Sequence, residues 1–163
     1  MTTSVESKTV LVGIAADEAN SVAALRRAAA DAALHGARIT AVHVIAPGSG
    51  PHAADEAAGM LDAMLRWHVP SALVPSARVC IERGEAGPIL AALSTDAEVL
   101  AVGACANSDR RGIYSGSVVR YLLVHAACPL RICADHGRTL ASEPAQEGAT
   151  NVMAMLEVQP RQP

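Results

Sequence analysis

Phenylalanine is absent from this chain of 163 residues, and aromatic residues of any kind make up 2% of it. Little is therefore available to stack on exposed bases, which speaks against a reader of single-stranded nucleic acid. Lysine is as scarce: Lys8 is the only one, and the formal net charge is −3. With no Lys/Arg-rich patch, the electrostatic footprint of a nucleic-acid surface is missing too. No apolar run approaches the ~20 residues of a membrane-spanning helix. The stretch Val10 to Ala16 resembles the apolar part of a signal peptide, but only Lys8 precedes it with positive charge. It reads better as a first β-strand, and a cytoplasmic location is expected.

Metal-binding and nucleophile patterns are lacking as well. The four cysteines, Cys80, Cys105, Cys128 and Cys133, form no C-x-x-C pair and no zinc spacing. They read as reduced, mostly buried thiols, although Cys105 would become reactive if a helix terminus lowered its pKa. Among the histidines (His35, His43, His52, His68, His125, His136) there is no H-E-x-x-H and no clustered carboxylate. His43 reads as a strand position and His125 as a helix end, where a cation suits the dipole. Met60 and Met64 fall at helical spacing and read as core filler. Gly112-Ile113-Tyr114-Ser115-Gly116 has the wrong spacing for a nucleophile elbow, so Ser115 reads as a loop residue. Nothing marks a general base, and no catalytic residue is assigned.

What is present is 51% apolar and 18% charged, a globular composition. A domain of this length buries roughly 70% of its unfolded surface, so its core needs neither disulfide nor metal. Val, Ile, Leu and Ala must fill it, which suits parallel strands under Ala-rich helices.

Short β-branched runs at Thr9 to Ile14, Ile39 to Ile45, Ala77 to Glu82, Val99 to Val102 and Leu130 to Cys133 read as strands. Helical periodicity alternates with them. Asn20 or Ser21 is placed to cap a helix reaching about Leu34, with Val22, Leu25, Ala29 and Ala32 on one face and Gly36 as its stop. Ala57, Met60, Leu61, Met64 and Leu65 form a stripe in a second helix, from Ala53 to Trp67. Gly87 and Pro88 open a third, with Ile89, Leu90 and Leu93 inward. A fourth follows Gly116-Ser117, with Val118, Val119, Leu122, Leu123 and Ala126 sharing a face. Strand–helix alternation with short loops implies a five-stranded parallel sheet with helices on both faces. From about Gly137 the pattern stops and Ser, Glu, Pro, Gln and Gly dominate. Residues 1–8 therefore read as an extension, 9–135 as the domain, and 136–163 as a flexible tail in which Val152 to Val158 adds a short helix or strand.

In open parallel sheets ligands bind beyond the carboxyl ends of the strands, where strand order reverses. That focuses attention on Gly103 to Val118. Glycine lets backbone approach a ligand, and a helix starting near Gly116 offers free amides and a dipole suited to phosphate, with the Ser117 hydroxyl beside them. The same residues also suit an ordinary strand-to-helix connection in which Ser117 caps the helix. Arg110 and Arg111 lie in this loop, either reaching a phosphate or forming a solvated pair, the second reading being favoured.

Val99-Leu100-Ala101-Val102-Gly103, Gly116-Ser117-Val118 and His125-Ala126-Ala127-Cys128-Pro129-Leu130 resemble the universal stress protein family. So, more loosely, do Thr9 to Ile14 and His43-Val44-Ile45. The family's nucleotide motif is a glycine, two residues, a glycine, nine residues, then Gly-Ser or Gly-Thr. Here Gly103 is followed at that spacing by Ala106 and then Gly116-Ser117. The resemblance implies a Rossmann-like sheet of the adenine-nucleotide alpha-hydrolase type, strand order 3-2-1-4-5, and a homodimer through the last strand, about Leu130 to Cys133. It also implies a site for ATP or another adenine nucleotide at Ala15, Val44, Val102, Gly103, Ala106, Gly116, Ser117 and Val118, with no metal beyond nucleotide-associated Mg.

Departures from the family pattern bear on function. Nucleotide-binding relatives usually carry an aspartate where this chain has Ala15, and Asp17 substitutes only if the loop bends differently. Ala106 adds a methyl group beside phosphate, and Val119 replaces a hydroxyl residue. A lost hydrogen bond to a charged group costs roughly 1.5–3 kcal/mol, so Ala15 alone weakens binding about 10- to 100-fold. The expected protein is thus a stress-response module with weak or conditional adenine-nucleotide binding. The alternative is a nucleotide-independent homodimeric interaction protein with a degenerate site.

Overall fold

A computed structural model describes residues 7–15, 18–104, 116–134, 138–142 and 155–158. Its parallel strands are β1 (Thr9–Gly13), β2 (Arg38–Ile45), β3 (Arg78–Arg83), β4 (Val99–Gly103) and β5 (Leu130–Ala134), lying in the order β3-β2-β1-β4-β5. Between them run α1 (Glu18–His35), α2 (Ala53–His68), α3 (Ala86–Leu93) and α4 (Ser117–His125). The sheet separates two cores. Leu25, Ala28, Leu61 and Leu65 of α1 and α2 pack on Val10, Val12 and Ile39, whereas Leu90, Val119 and Leu122 of α3 and α4 pack on Leu11, Leu100 and Ile132.

Central position explains why β1, apart from Thr9 at its start, and β4 are apolar: both are covered on two faces, and Val10, Val12, Leu100 and Ala101 are fully buried. β3 is the outer strand on one side and is correspondingly half exposed. Gly36 stops α1 as expected: its φ of 60° is left-handed, and Ala37 N–H donates to the Ala32 carbonyl at 2.9 Å. The start of α1 differs from the sequence reading. The helix begins at Glu18, so Asn20 and Ser21 sit inside its first turn rather than capping it. Pro88 is the third residue of α3, still within the turn whose amides need no helical partner.

The sheet does not end at β5. Arg138–Ser142 (β6) pairs antiparallel with it and Met155–Val158 (β7) pairs antiparallel with β6, so part of the stretch read as a tail extends the sheet to seven strands. The edge expected to meet a second copy, Leu130 to Cys133, is therefore taken by the chain's own backbone, with Leu130 opposite Ser142 and Ala134 opposite Arg138.

One charged cluster lies inside this frame. Asp31 of α1 is buried, and its Oδ2 stands 3.4 Å from Arg27 Nε and 3.7 Å from Arg131 Nε of β5. Arg131 Nε is buried and has no hydrogen-bond partner among the described residues, so Asp31 acts on it through charge rather than a hydrogen bond. Asp31→Ala would leave that guanidinium facing α1 uncompensated. The expected loss is about 2 kcal/mol, below the usual range for a broken buried pair because both arginines keep some solvent. Urea unfolding at constant m-value measures it.

Candidate functional site

Strand order reverses between β1 and β4, and a cleft of about 550 Å³ opens at their carboxyl ends. That volume is ordinary for a small-molecule site. Its floor is Gly13, Ile14 and Ala15 after β1, with Val102, Gly103 and Ala104 after β4. One wall is the α4 start, Gly116 to Val119, and the other is the end of β2, Val42 to Ala46. Among the described lining residues no side chain carries a fixed charge.

The α4 end of the cleft is made of backbone. Gly116 is the N-cap residue with extended ψ (138°), and no side chain caps the helix. The Arg120 amide makes the first helical bond, to the Gly116 carbonyl at 3.0 Å, so the amides before it have no partner within the helix. Ser117 is thus the first helical residue and not the cap. Such an end favours an anion through its free amides and dipole.

The opposite end is held by side chains. Ser21 Oγ accepts from the Ala15 amide and donates to the Ala15 carbonyl, both at 3.1 Å, clamping the turn after β1 onto the first turn of α1. His43 Nδ1 lies 2.8 Å from the Ile14 carbonyl. Arg83 reaches from β3 to the carbonyls of Ala46, Pro47 and Ser49 at 3.4, 3.3 and 3.0 Å, fixing the loop that forms the cleft's outer lip.

Ala15, Val44, Val102, Gly103, Gly116, Ser117 and Val118 all meet around this one cleft. Ala106, Asp17, Cys105, Arg110, Arg111 and Ser115 lie outside the described residues. Gly103 has a role other than the one read from the motif. A Cβ there would stand 2.8 Å from the Asn20 backbone carbon, so its lack of side chain admits the start of α1. Ala15 is exposed at the mouth, with no carboxylate in its place. The sequence reading gave Ser21 a possible capping role and His43 a strand position, and it assigned Arg83 nothing; Arg83 ends β3, just before a glycine of positive φ, Gly84.

Among the described residues no cysteine lines the cleft. Burial pushes the Cys128 thiol up to about 11, outweighing hydrogen bonds that favour the thiolate. Cys80 is likewise raised, first by burial and then by Glu82. Among the described residues no group of three His, Cys, Asp or Glu could hold a metal ion, and no helix is long and apolar enough to cross a membrane.

The chain belongs to the universal stress protein family, whose model matches residues 6–133. It is similar to the solved universal stress protein UspA from Lactobacillus plantarum, with 25% identity, 77% of this chain and 97% of that one covered, and a TM-score of 0.58. A universal stress protein solved in complex with cAMP is 22% identical, with coverage of 77% and 95% and a TM-score of 0.58. One from Archaeoglobus fulgidus in complex with dAMP is 24% identical, with coverage of 77% and 97% and a TM-score of 0.50. No curated protein matches the chain.

Proposed function

We propose that this member of the universal stress protein family is a regulatory module that binds an adenine nucleotide, such as ATP, weakly in the cleft, and that it is not an enzyme. The observation that carries the reading is the polarity of the cleft, with helix amides that have no partner within the helix at one end and an apolar slot at the other. Adjacent strands lie about 4.8 Å apart. A ligand with its phosphates at α4, beyond β4, therefore crosses β1 and lays its base against the end of β2. Two family structures were solved with adenine nucleotides, cAMP and dAMP. Among the described residues the lining is uncharged, which supports weak binding, because there the phosphate charge is met by amides and dipole.

Calorimetric titration of nucleotide-stripped protein with ATP tests this. A dissociation constant between micromolar and millimolar is expected, about −8 to −4 kcal/mol. In Gly116→Val the branched side chain crowds the amide end, and binding should weaken at least about tenfold. No heat at millimolar ATP overturns the reading in favour of a nucleotide-independent interaction protein. As for self-association, a homodimer through Leu130 to Cys133 requires β6 to leave that edge. The single chain with β6 in place is therefore the proposed resting form.

A further inference from the structure

We propose that the outer edge of β3 recognises a second copy of this chain, and that oxidation fixes the pair through a disulfide between the two Cys80 residues. The inference is independent of what fills the cleft. β3 ends the sheet on the side away from β7, and no backbone hydrogen bond among the described residues reaches its outer side. Just beyond it the Gly84 amide donates inward, to the Ile45 carbonyl at 3.0 Å. Backbone polar groups of successive strand residues turn to opposite sides, so Arg78, Cys80 and Glu82 also turn theirs toward β2. Val79, Ile81 and Arg83 present theirs outward, as a template for another strand.

Two copies meeting about a two-fold axis pair antiparallel, with outward-turned residues opposite one another. Charge selects the register. Centred on Cys80, the pairing sets Arg78 opposite Glu82 twice and Val79 opposite Ile81 twice, and both kinds of pair stabilise. Centring on Val79 or Ile81 instead loses both ion pairs. Arg78 is exposed, Cys80 and Glu82 are half-buried, and Cys80 Sγ donates to Glu82 Oε1 at 3.4 Å. On the axis the two Cys80 residues form a non-hydrogen-bonded pair, with Cα atoms about 4.5 Å apart. A disulfide spans about 4.4–6.8 Å between Cα atoms, so it fits there. One edge of six residues is small beside a standard interface, so reduced copies separate readily. Burial and Glu82 raise the thiol's pKa and slow its oxidation in the single chain, whereas Arg78 of the second copy offsets Glu82. As the S–S bond forms, two protons and two electrons pass to a two-electron oxidant.

The test treats the full chain at low salt and about pH 8.5 with diamide, which becomes a hydrazine as it takes up the protons and electrons. Non-reducing gels follow the rate, and mass spectrometry of the linked peptides identifies the bond. Wild type should give a Cys80–Cys80 dimer that dithiothreitol returns to monomer. Cys80→Ser should give none while its melting temperature holds. Arg78→Glu and Glu82→Arg each set like charges opposite one another, and each should slow dimer formation about five- to tenfold. Glu82→Arg also adds positive charge beside the thiol, so thiol reactivity without recognition would make that variant faster. Exchanging the two residues, Arg78→Glu with Glu82→Arg, should restore the wild-type rate. An absent dimer, or one that survives Cys80→Ser, overturns the proposal. So does a Glu82→Arg chain that links faster than wild type, or an exchange that restores nothing.

Discussion

Gly103→Ala is expected to destabilise the fold by about 3 kcal/mol, the upper part of the range for overpacking a tight contact. The new Cβ would lie 2.8 Å from the backbone carbon of Asn20 and 2.9 Å from its carbonyl oxygen and Cβ. Backbone at the start of a packed helix has no rotamer with which to move aside. Relief requires α1 to slide off β4, and the floor of the cleft would move with it. The matched control is Gly59→Ala on the exposed face of α2, where nothing lies within 4 Å of the added carbon. There the same change should stabilise by about 0.5–1 kcal/mol, because alanine restricts the unfolded chain and favours helix. Urea midpoints of the two variants should thus move in opposite directions. A Gly103→Ala midpoint matching wild type would show that the α1 start is not pressed against β4.

Placing proline at both Thr139 and Leu140 is expected to turn a monomer of 16.7 kDa into a species of twice that mass. Neighbouring residues of a strand send their N–H groups to opposite sides, so the pair removes β6 donors toward both β5 and β7. Once β6 detaches, β5 presents an unpaired edge, and such an edge is a template for another strand. Two copies meeting about a two-fold axis bring identical edges together antiparallel, the direction in which β6 now runs against β5. Sedimentation equilibrium across a concentration series reads the change directly. A wild-type chain already dimeric, or a double variant that stays monomeric, would show that β6 is not what keeps the edge closed.

Each of these expectations draws on contacts that differ in how far the sequence exposes them. The five parallel strands were legible because each is a short apolar run covered from outside, and burial on two faces writes itself into composition as Val, Leu, Ile and Ala. Gly36 was legible as a stop because a left-handed residue at a helix end is a local requirement. Gly103 and Gly116-Ser117 line one cleft, since the ends of a parallel strand and of the next helix are neighbours by construction.

The reasons for those residues were less legible. Gly103 looked like a place where a ligand approaches backbone, yet its closest neighbour is Asn20, far earlier in the chain and brought there by β1 lying beside β4. His43 looked like one more strand residue until the end of β1 placed the Ile14 carbonyl under its ring. β6 carries too short and mixed a pattern to announce a strand, and the open edge of β5 supplies the partner that makes it one. By itself, then, the sequence determined which segments are buried, the order in which helices and strands alternate, and the family. Tertiary structure alone decided that Ser21, His43 and Arg83 brace the segments around the cleft and that β6 covers β5. Periodicity records whether a residue faces the core, but a contact between segments distant in the chain leaves no periodic trace in either one.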